Sequence, residues 1–412
     1  MPKQLVQSLD ARSRPEVDLL LCCARTELTP EISNRVRILM RGQVDWIQLI
    51  RLALCHDVMP LLHRNLQQLC PDSVPEDVLG AVRAHCQSQS ARARRLAEEL
   101  VQILALFEKE GILAVPYKGP ALAQRLYGDL SLRDFNDLDI VVMERDVPRA
   151  QELIRRFGFE LLYLKGIGKL AEHMRTSPGC ELHFRRSDGT LLELHWRFAM
   201  RLACVRHDPN RFLERFETVS LVGAEIRSLP LESYFLVLSI HATKHKWKLL
   251  KLICDIAEIL RHTDLDWRYA RAQADDLGLR RMTEVGVLLA RDVLDATVPA
   301  ELDRTLKIDR TTRALAGEVR RSLFNEPDET WPHGAEFPFQ VKIRERLRDK
   351  ANMLRRNLLP KLKPDERDRY FLPMPEVFSP LYYLVRPVRW TSEKLGLGPG
   401  RVSRNAEVTE VR

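Results

Sequence analysis

Two aspartates near the centre of the chain, Asp137 and Asp139, stand two residues apart at the start of an apolar run. On a β-strand, side chains at this spacing leave the same face of the sheet. The run from Ile140 to Met143 predicts a short buried strand of a mixed or parallel sheet, which would hold both carboxylates at its beginning. Because hard oxygen ligands fixed this close together suit Mg²⁺, with Mn²⁺ as the other candidate, the spacing predicts a divalent-cation site.

A phosphate-binding segment is predicted shortly before these aspartates. Gly111 to Tyr117 has the composition of a strand, and Lys118-Gly119-Pro120 ends it. Pro120 suits the first turn of a helix over Ala121 to Leu126, which places the Gly119 amide near a helix N-terminus, a favourable position for anions. Lys118 adds a positive charge suited to the β- and γ-phosphates of a nucleoside triphosphate. This segment and the strand after it predict a βαβ unit.

A third carboxylate is expected from a hairpin further along the chain. The Asp-Gly turn signal at Ser187 to Gly189 predicts two paired strands, near Cys180 to Arg186 and Thr190 to Phe198. Each strand carries a Glu-Leu-His sequence, so that Glu181 and Glu193 are both candidates for a general base or a further metal ligand. Glu193 is preferred because Glu181 lies near a strand end.

The run from Lys118 to Phe159 resembles the core of a bacterial nucleotidyltransferase family in which a Lys-Gly helix start precedes an Arg-x-x-x-Asp-x-Asp motif, here Arg133 to Asp139. The resemblance is strongest from about residue 111 to residue 255. Further motifs of that family are matched by Leu194-His195-Trp196, by His241, His245, Trp247 and Asp255, and near the C-terminus by Tyr382-Tyr383-Leu384 and Arg386-Pro387. The Leu-His-Trp match also favours Glu193 over Glu181.

The resemblance implies an α+β fold with a polymerase β-like core, in which a mixed sheet with helices is flanked by helical regions at both ends. The usual Gly-Ser start of that superfamily is Lys118-Gly119 here. The implied reaction is the Mg²⁺-dependent transfer of a nucleoside monophosphate, with ATP as the expected donor, to a hydroxyl acceptor, which releases pyrophosphate. The acceptor classes considered are a small molecule, a saccharide, a peptide and RNA.

The residues and the resemblance together give a predicted site. The catalytic residues and metal ligands are Asp137, Asp139 and Glu193. The residues expected to contact the nucleotide are Lys118, Gly119, Arg133, His195, His241, Lys244 and His245. For Arg133 two roles stand side by side, namely neutralising a phosphate or forming a salt bridge with Asp134 or Asp137.

The two histidines of the later helical motif have several possible roles. His241 and His245 lie one helical turn apart and could ligate zinc, although the Glu of a His-Glu-x-x-His motif is missing. With Lys244 beside them, they are expected to border the nucleotide or to cap the core. Asp255 either supports His245 or lies on a helix surface.

The chain of 412 residues, 45% of them hydrophobic, is long enough for two or three domains. We expect a helical region over 1–110, a catalytic core over 111–229, helices completing the cleft over 230–300, and a basic, proline-spaced region over 301–412 with a disordered tail after Gly396. Helices of the first region are expected at Val17 to Arg25, Pro30 to Met40, Val44 to Leu66 and Pro75 to Glu110.

Two features indicate a soluble cytoplasmic protein. The eight cysteines include no Cys-x-x-Cys pair, which is typical of reduced thiols in a chain of this length. No apolar stretch approaches the roughly 20 residues of a transmembrane helix.

Most of the net charge of +8 falls on one segment. Val341 to Lys363 contains nine Lys or Arg residues and two acidic ones, with apolar residues at helical spacing, and predicts an amphipathic helix ended by Pro360. We expect its basic face to be merely solvated. Two alternative functions remain: a non-catalytic module binding nucleic acid or a membrane surface, or a tRNA-directed nucleotidylating enzyme resembling a toxin.

Overall fold

The computed structural model describes residues 14–162, 169–176, 180–198, 215–325, 337–362 and parts of 368–394. Its α+β architecture, a mixed sheet surrounded by helices, confirms the predicted fold class. The helices are α1 Pro15–Cys23, α2 Pro30–Met40, α3 Trp46–Cys55, α4 Met59–Leu69, α5 Glu76–Lys109, α6 Gly119–Tyr127, α7 Val147–Arg156, α8 Lys169–Thr176, α9 Leu231–Lys244, α10 Leu250–Arg261, α11 Trp267–Leu277, α12 Arg280–Leu294, α13 Ala300–Asp303, α14 Arg310–Ser322, α15 Phe337–Lys342, α16 Leu347–Leu362 and α17 Tyr382–Lys394. The strands are β1 Ala114–Pro116, β2 Asp137–Val142, β3 Glu160–Leu161, β4 Glu181–Arg185, β5 Leu191–His195, β6 Glu217–Leu221 and β7 Ala224–Ser228.

The central sheet has five strands in the order β1-β2-β5-β4-β3. Strands β2 and β5 are parallel, and Asp139 pairs in register with Glu193. The hairpin predicted from the Asp-Gly turn is confirmed, since β4 and β5 are antiparallel and Gly189 between them has φ near +90°. The sequence also predicts a strand near Glu160 to Lys165, of which residues 163–165 lie outside the described residues.

Strand β1 pairs with β2 antiparallel, so the predicted βαβ unit is wrong in its strand direction. In such a unit the two strands run parallel, and the end of β1 would lie at the opposite edge of the sheet from the start of β2. In the antiparallel pair, Pro116 is opposite Ile140, and the Tyr117 amide donates to the Asp139 carbonyl. This pairing places Lys118, which follows β1, beside the two aspartates that open β2.

The two faces of the sheet have different partners. Residues such as Ile140 and Leu194 point to one side, where they are fully buried in a core shared with helices α5 and α7. The alternate positions, which include Asp139, Glu193 and Tyr117, point to the other side. Polar side chains are thus held by a strand pair that is buried on the opposite face.

Helices that are distant in sequence share the second core. One hydrophobic cluster contains residues of α1, α3 and α4 together with residues of α9, α10 and α12. Polar contacts join the same regions: the Thr26 hydroxyl donates to Glu258 at 2.7 Å, and the Leu250 amide donates to Nδ1 of His56 at 3.2 Å. Burial lowers the pKa of His56 to about 4, so its ring is neutral and can accept that bond.

The single helix expected over Val44 to Leu66 is wrong, because the structure has two helices there, α3 and α4. Asp57, between them, has φ near +55°, a left-handed conformation that ends a helix. Its carboxylate pairs with Lys251 at 2.6 Å, and Pro60 lies in the first turn of α4. The break thus has a local signal in Pro60, because a proline inside a helix removes a backbone hydrogen bond, and the contact of Asp57 with Lys251 stabilises it.

The single basic helix expected over Val341 to Lys363 is also two helices, α15 and α16. The carbonyl groups of Lys342 and Arg344 accept hydrogen bonds from Arg281, each at 3.0 Å, instead of continuing a helix. Helix α16 also runs past Pro360 to Leu362, so the helix end expected at this proline is wrong. Arg344 is buried, and Arg346 donates to the Asp276 carbonyl, so these cations are structural rather than part of a solvated face.

The chain divides into two compact units, residues 1–350 and 351–412. In the second unit, the buried Asp368 carboxylate accepts from Arg386 at 2.9 Å and from Arg389 at 2.6 Å. The tail after Gly396 lies outside the described residues. Within the described ranges, no helix is both long enough and apolar enough to cross a bilayer.

The contact between α12 and the turn after α9 gives a stability test. A Cβ atom on Gly286 would lie 2.6 Å from the fully buried Trp247 ring, whereas one on Gly80 in α5 would have no atom within 4 Å. Gly286→Ala should therefore lower the free energy of unfolding by about 1–3 kcal/mol through overpacking, in spite of its better helix propensity. Gly80→Ala should leave it unchanged or raise it by up to about 1 kcal/mol. Urea denaturation measures both, and equal effects would contradict the packing described.

Candidate active site

The aspartate pair opens β2, as the sequence predicted. The Asp139 side chain is 2% exposed, whereas Asp137, at the start of the strand, is half-buried. Burial and then the charge of Asp139 raise the pKa of Asp137 to about 6. Burial alone would raise the pKa of Asp139 as well, but the Lys118 ammonium and the His195 ring outweigh it and lower that pKa below its usual value. The two carboxylates therefore differ in pKa and in access.

Lys118 and Gly119 lie at the start of α6, next to the aspartates. The Lys118 ammonium contacts Oδ1 of Asp139 at 2.7 Å. Gly119 has φ near +58°, and a Cβ atom there would lie 3.0 Å from the Asp137 carbonyl oxygen. A residue with a side chain would push the helix start away from β2, so the close approach of the two segments depends on this glycine.

Both Glu-Leu-His sequences of the hairpin face the same side, and their four polar side chains form a closed ring of contacts. His183 lies 3.2 Å from Glu193 and 3.4 Å from Glu181. His195 lies 3.1 Å from Glu193 and 3.4 Å from Glu181. We call these four residues the Glu-His ring. The two glutamates that the sequence offered as alternatives are thus neighbours in a single cluster, with Glu193 beside Asp139.

His195 joins the Glu-His ring to the aspartates. Its Nε2 atom lies 3.2 Å from Oδ1 of Asp139 and 3.1 Å from Glu193. Burial alone would lower the pKa of His195, but its contacts with these two carboxylates raise it. Nε2 of the ring thus faces Asp139 and Glu193, and Nδ1 faces Glu181, so that His195 is surrounded by carboxylates.

Tyr117 is a member of the site that sequence reasoning treated only as part of a strand. Its buried hydroxyl lies 3.2 Å from Nε2 of His195, and the two rings meet edge to face. Burial, followed by the nearby carboxylates, raises the pKa of Tyr117 well above its usual value, so the hydroxyl remains neutral. The sequence does contain a signal for this role. Tyr117 directly precedes Lys118, and it lies two residues after Val115, a spacing that places both side chains on the same face of the sheet.

Arg133 has a partner that neither expected role named. Its guanidinium forms two hydrogen bonds to Asp255, at 2.8 and 2.9 Å, and the Tyr127 hydroxyl donates to the same carboxylate at 2.8 Å. Arg133 and Asp255 are both almost fully buried. The expected salt bridge with Asp134 or Asp137 is therefore wrong, and so are both roles expected for Asp255. The pair connects the segment before β2 to helix α10.

The three polar residues at the end of α9 border this site. Lys244 reaches to 4.0 Å from Glu181, and the rings of His241 and His245 are 4.8 Å apart between centroids. Burial and then the charge of Lys118 lower the pKa of His241 well below its usual value. His241 is half-buried and near enough to Lys118 for that charge to lower its pKa, and its expected position bordering the nucleotide stays a prediction.

Three of these side chains could hold a metal ion. Asp139, Glu193 and His195 offer ligand atoms that lie within 4.8 Å of one another. Oδ2 of Asp139 is buried and has no hydrogen-bond partner among the described residues, a state that favours a bound cation. The carboxylate oxygens are ligands typical of hard cations such as Mg²⁺ or Mn²⁺, whereas an imidazole is more typical of transition metals. Asp137, a predicted ligand, is not in this group, whereas His195, predicted to contact nucleotide, is.

The comparison with known families agrees with this arrangement. Residues 42–295 match the family described as uncharacterised nucleotidyltransferase, and the chain belongs to that family. It is therefore an enzyme that transfers nucleotidyl groups. No curated protein matches the chain.

The pair of Arg133 and Asp255 should be essential for stability. Arg133→Met leaves a buried carboxylate without its cation and should cost about 3–5 kcal/mol of unfolding free energy, as should Asp255→Leu, which strands the guanidinium. The double variant should cost less than the sum of the two. Arg156→Met, which removes an exposed ion pair with Glu152, is the control and should cost about 1 kcal/mol or less. Strict additivity in urea denaturation would contradict the buried pair.

His183 should be protonated at neutral pH. Its hydrogen bonds to Glu181 and Glu193 outweigh burial and raise its pKa to about 10. In NMR titrations with EDTA present, the ring signal of His183 should therefore change above pH 8, and Glu193→Gln should lower the midpoint. His63 on α4, whose pKa burial lowers, should be unaffected by that substitution. A midpoint for His183 near the ordinary value would show that the Glu-His ring does not form.

Proposed function

We propose that this nucleotidyltransferase transfers a nucleoside monophosphate from a nucleoside triphosphate, with ATP as the expected donor, to a hydroxyl group of its acceptor in a reaction that depends on Mg²⁺ or Mn²⁺. We assign it to the polymerase β-like superfamily on the order of its motifs. The observation that most supports the proposal is the buried carboxylate of Asp139, which has one oxygen without a partner among the described residues and lies beside Glu193.

The residues that would hold the metal are Asp139 and Glu193, with His195 adjacent and Asp137 at the strand start. A bound divalent cation supplies positive charge that neutralises the triphosphate and the departing pyrophosphate. The carboxylates of Asp139 and Glu193 lie on the same face of two paired strands, and the other face of these strands is buried. The separation of the two carboxylates is therefore fixed before the substrate binds. Such preorganisation is what nucleotidyl transfer requires of a protein.

Lys118 and the first amides of α6 would bind the phosphates. The ammonium carries the point charge, and the helix N-terminus adds unpaired N–H groups and a positive dipole end. Glu193 would accept the hydrogen bond of the attacking hydroxyl and orient it. Burial alone would raise the pKa of Glu193, but hydrogen bonds from His183 and His195 lower it, so its carboxylate is ionised.

In the transfer, the acceptor oxygen attacks the α-phosphorus and its hydroxyl proton passes to the Glu193 carboxylate, while the bond from that phosphorus to the bridging oxygen breaks and pyrophosphate leaves with the electron pair. Lys244 and His241, at the end of α9, border the space beside Glu181. We infer that this end of the helix forms one wall of the substrate cleft.

Substitution of the aspartates tests the proposal. Asp139→Asn should reduce the rate of pyrophosphate release from ATP by roughly a thousandfold or more, because a ligand to the metal is lost at the transition state. Asp137→Asn should also reduce it strongly. Asp72→Asn, at an exposed turn before α5, is the matched control and should retain the wild-type rate. Circular dichroism and thermal unfolding establish that each variant is folded. Wild-type turnover by folded Asp139→Asn would refute the assignment.

A further inference from the structure

The Asp139 carboxylate already has a cation in contact with it. Nζ of Lys118 lies 2.7 Å from Oδ1 of Asp139, and the Lys118 side chain is only 12% exposed. His195 approaches the same oxygen at 3.2 Å. A carboxylate this deeply buried requires such compensation. Lys118 therefore neutralises the residue at the centre of the proposed metal site.

A divalent cation on the unpartnered oxygen of this carboxylate, Oδ2, would lie close to the ammonium group on Oδ1. Both are positive, and because the Asp139 side chain is almost fully buried, their repulsion is weakly screened. A metal ion that used Asp139 would displace the Lys118 ammonium, which would then need another negative partner. Without one, displacement leaves a buried lysine unpaired and opposes metal binding.

Lys118 has a second anion position within reach. It directly precedes Gly119 at the start of α6, where a helix N-terminus with Pro120 in its first turn favours phosphate oxygens. The lysine stem has four rotatable bonds, so the ammonium can turn from Asp139 toward an anion at the helix start without movement of the backbone. The strand pairing that brings β1 beside β2 keeps both positions within the span of one side chain.

We propose that Lys118 fills the cation position at Asp139 until a nucleoside triphosphate draws it away, so that the site binds its metal tightly only when the nucleotide is present. This inference rests on the proposed function and adds to it an order in which the triphosphate and the metal bind. Triphosphate and metal would bind with positive coupling, and the protein alone would have low affinity for the metal.

The test measures Mn²⁺ binding to the full-length protein by electron paramagnetic resonance, which does not require turnover. For wild-type protein, Mn²⁺ alone should bind weakly, and α,β-methylene-ATP, whose α–β bridge cannot be cleaved, should tighten its binding by about tenfold or more, a common size for coupling between sites. Lys118→Met should bind Mn²⁺ alone at least about tenfold more tightly than wild type, and the analogue should tighten it little further. Spectra of Mn²⁺ with the analogue alone are subtracted.

Lys109→Met is the matched control because it removes an exposed lysine at the end of α5 that is not part of the site. It should keep the dependence on the analogue. If Lys118→Met binds Mn²⁺ alone no better than wild type, or if Lys109→Met abolishes the dependence to the same extent, the inference is wrong while the proposed function stands. If wild-type protein binds no Mn²⁺ even with the analogue, the proposed function itself fails. Thermal unfolding confirms that the variants are folded.

Discussion

The burial of one carboxylate, Asp139, is the constraint on which the site depends. A charge in this environment is costly unless opposite charges lie beside it. The two that do, Lys118 and His195, come from opposite sides of β2: the first follows β1, and the second ends β5. Strand β1 is antiparallel to β2, so its end lies near the start of β2 and brings Lys118 to Asp139. Strand β5 is parallel to β2 and pairs Glu193 with Asp139, so His195, two residues further along β5, lies on the same face beside Asp139. Strand order and charge compensation are therefore two aspects of the same arrangement.

The helices stabilise this arrangement from outside the sheet. The segment that leads into β2 is fixed by Arg133, whose charge is matched by Asp255 of α10. Helix α10 is in turn tied to the N-terminal helices, since its first amide bonds to His56 and its Lys251 pairs with Asp57. The position of the aspartates thus depends on contacts between residues that are nearly 200 positions apart in the chain. The helices before and after the core also share one hydrophobic cluster, in agreement with this dependence.

The parts of this fold that sequence predicts are those with local causes. The buried strand after Asp139, the glycine turn of the hairpin and the proline in the first turn of α6 each follow from a few adjacent residues. The partner of Arg133, which is 122 residues away, has no local signal, and two nearer aspartates suggested a different pair. The helix break at Asp57 is a different case, because Pro60 marks it locally and a distant lysine also stabilises it. Strand direction was missed because a short helix between two strands is compatible with either pairing.

The two aspartates of the motif, although identical in type and spaced by one residue, have different electrostatic environments. Asp139 is compensated on both sides and remains ionised over the whole physiological range. Asp137 receives no hydrogen bond or ion pair among the described residues, and its pKa of about 6 reflects burial next to another negative charge. A carboxylate in that state gains most from an added cation, whereas Asp139 must exchange one cation for another. Because the partners of the two carboxylates differ in this way, we infer that they contribute unequally: Asp139 fixes where a cation can lie, and Asp137 adds affinity once it is there.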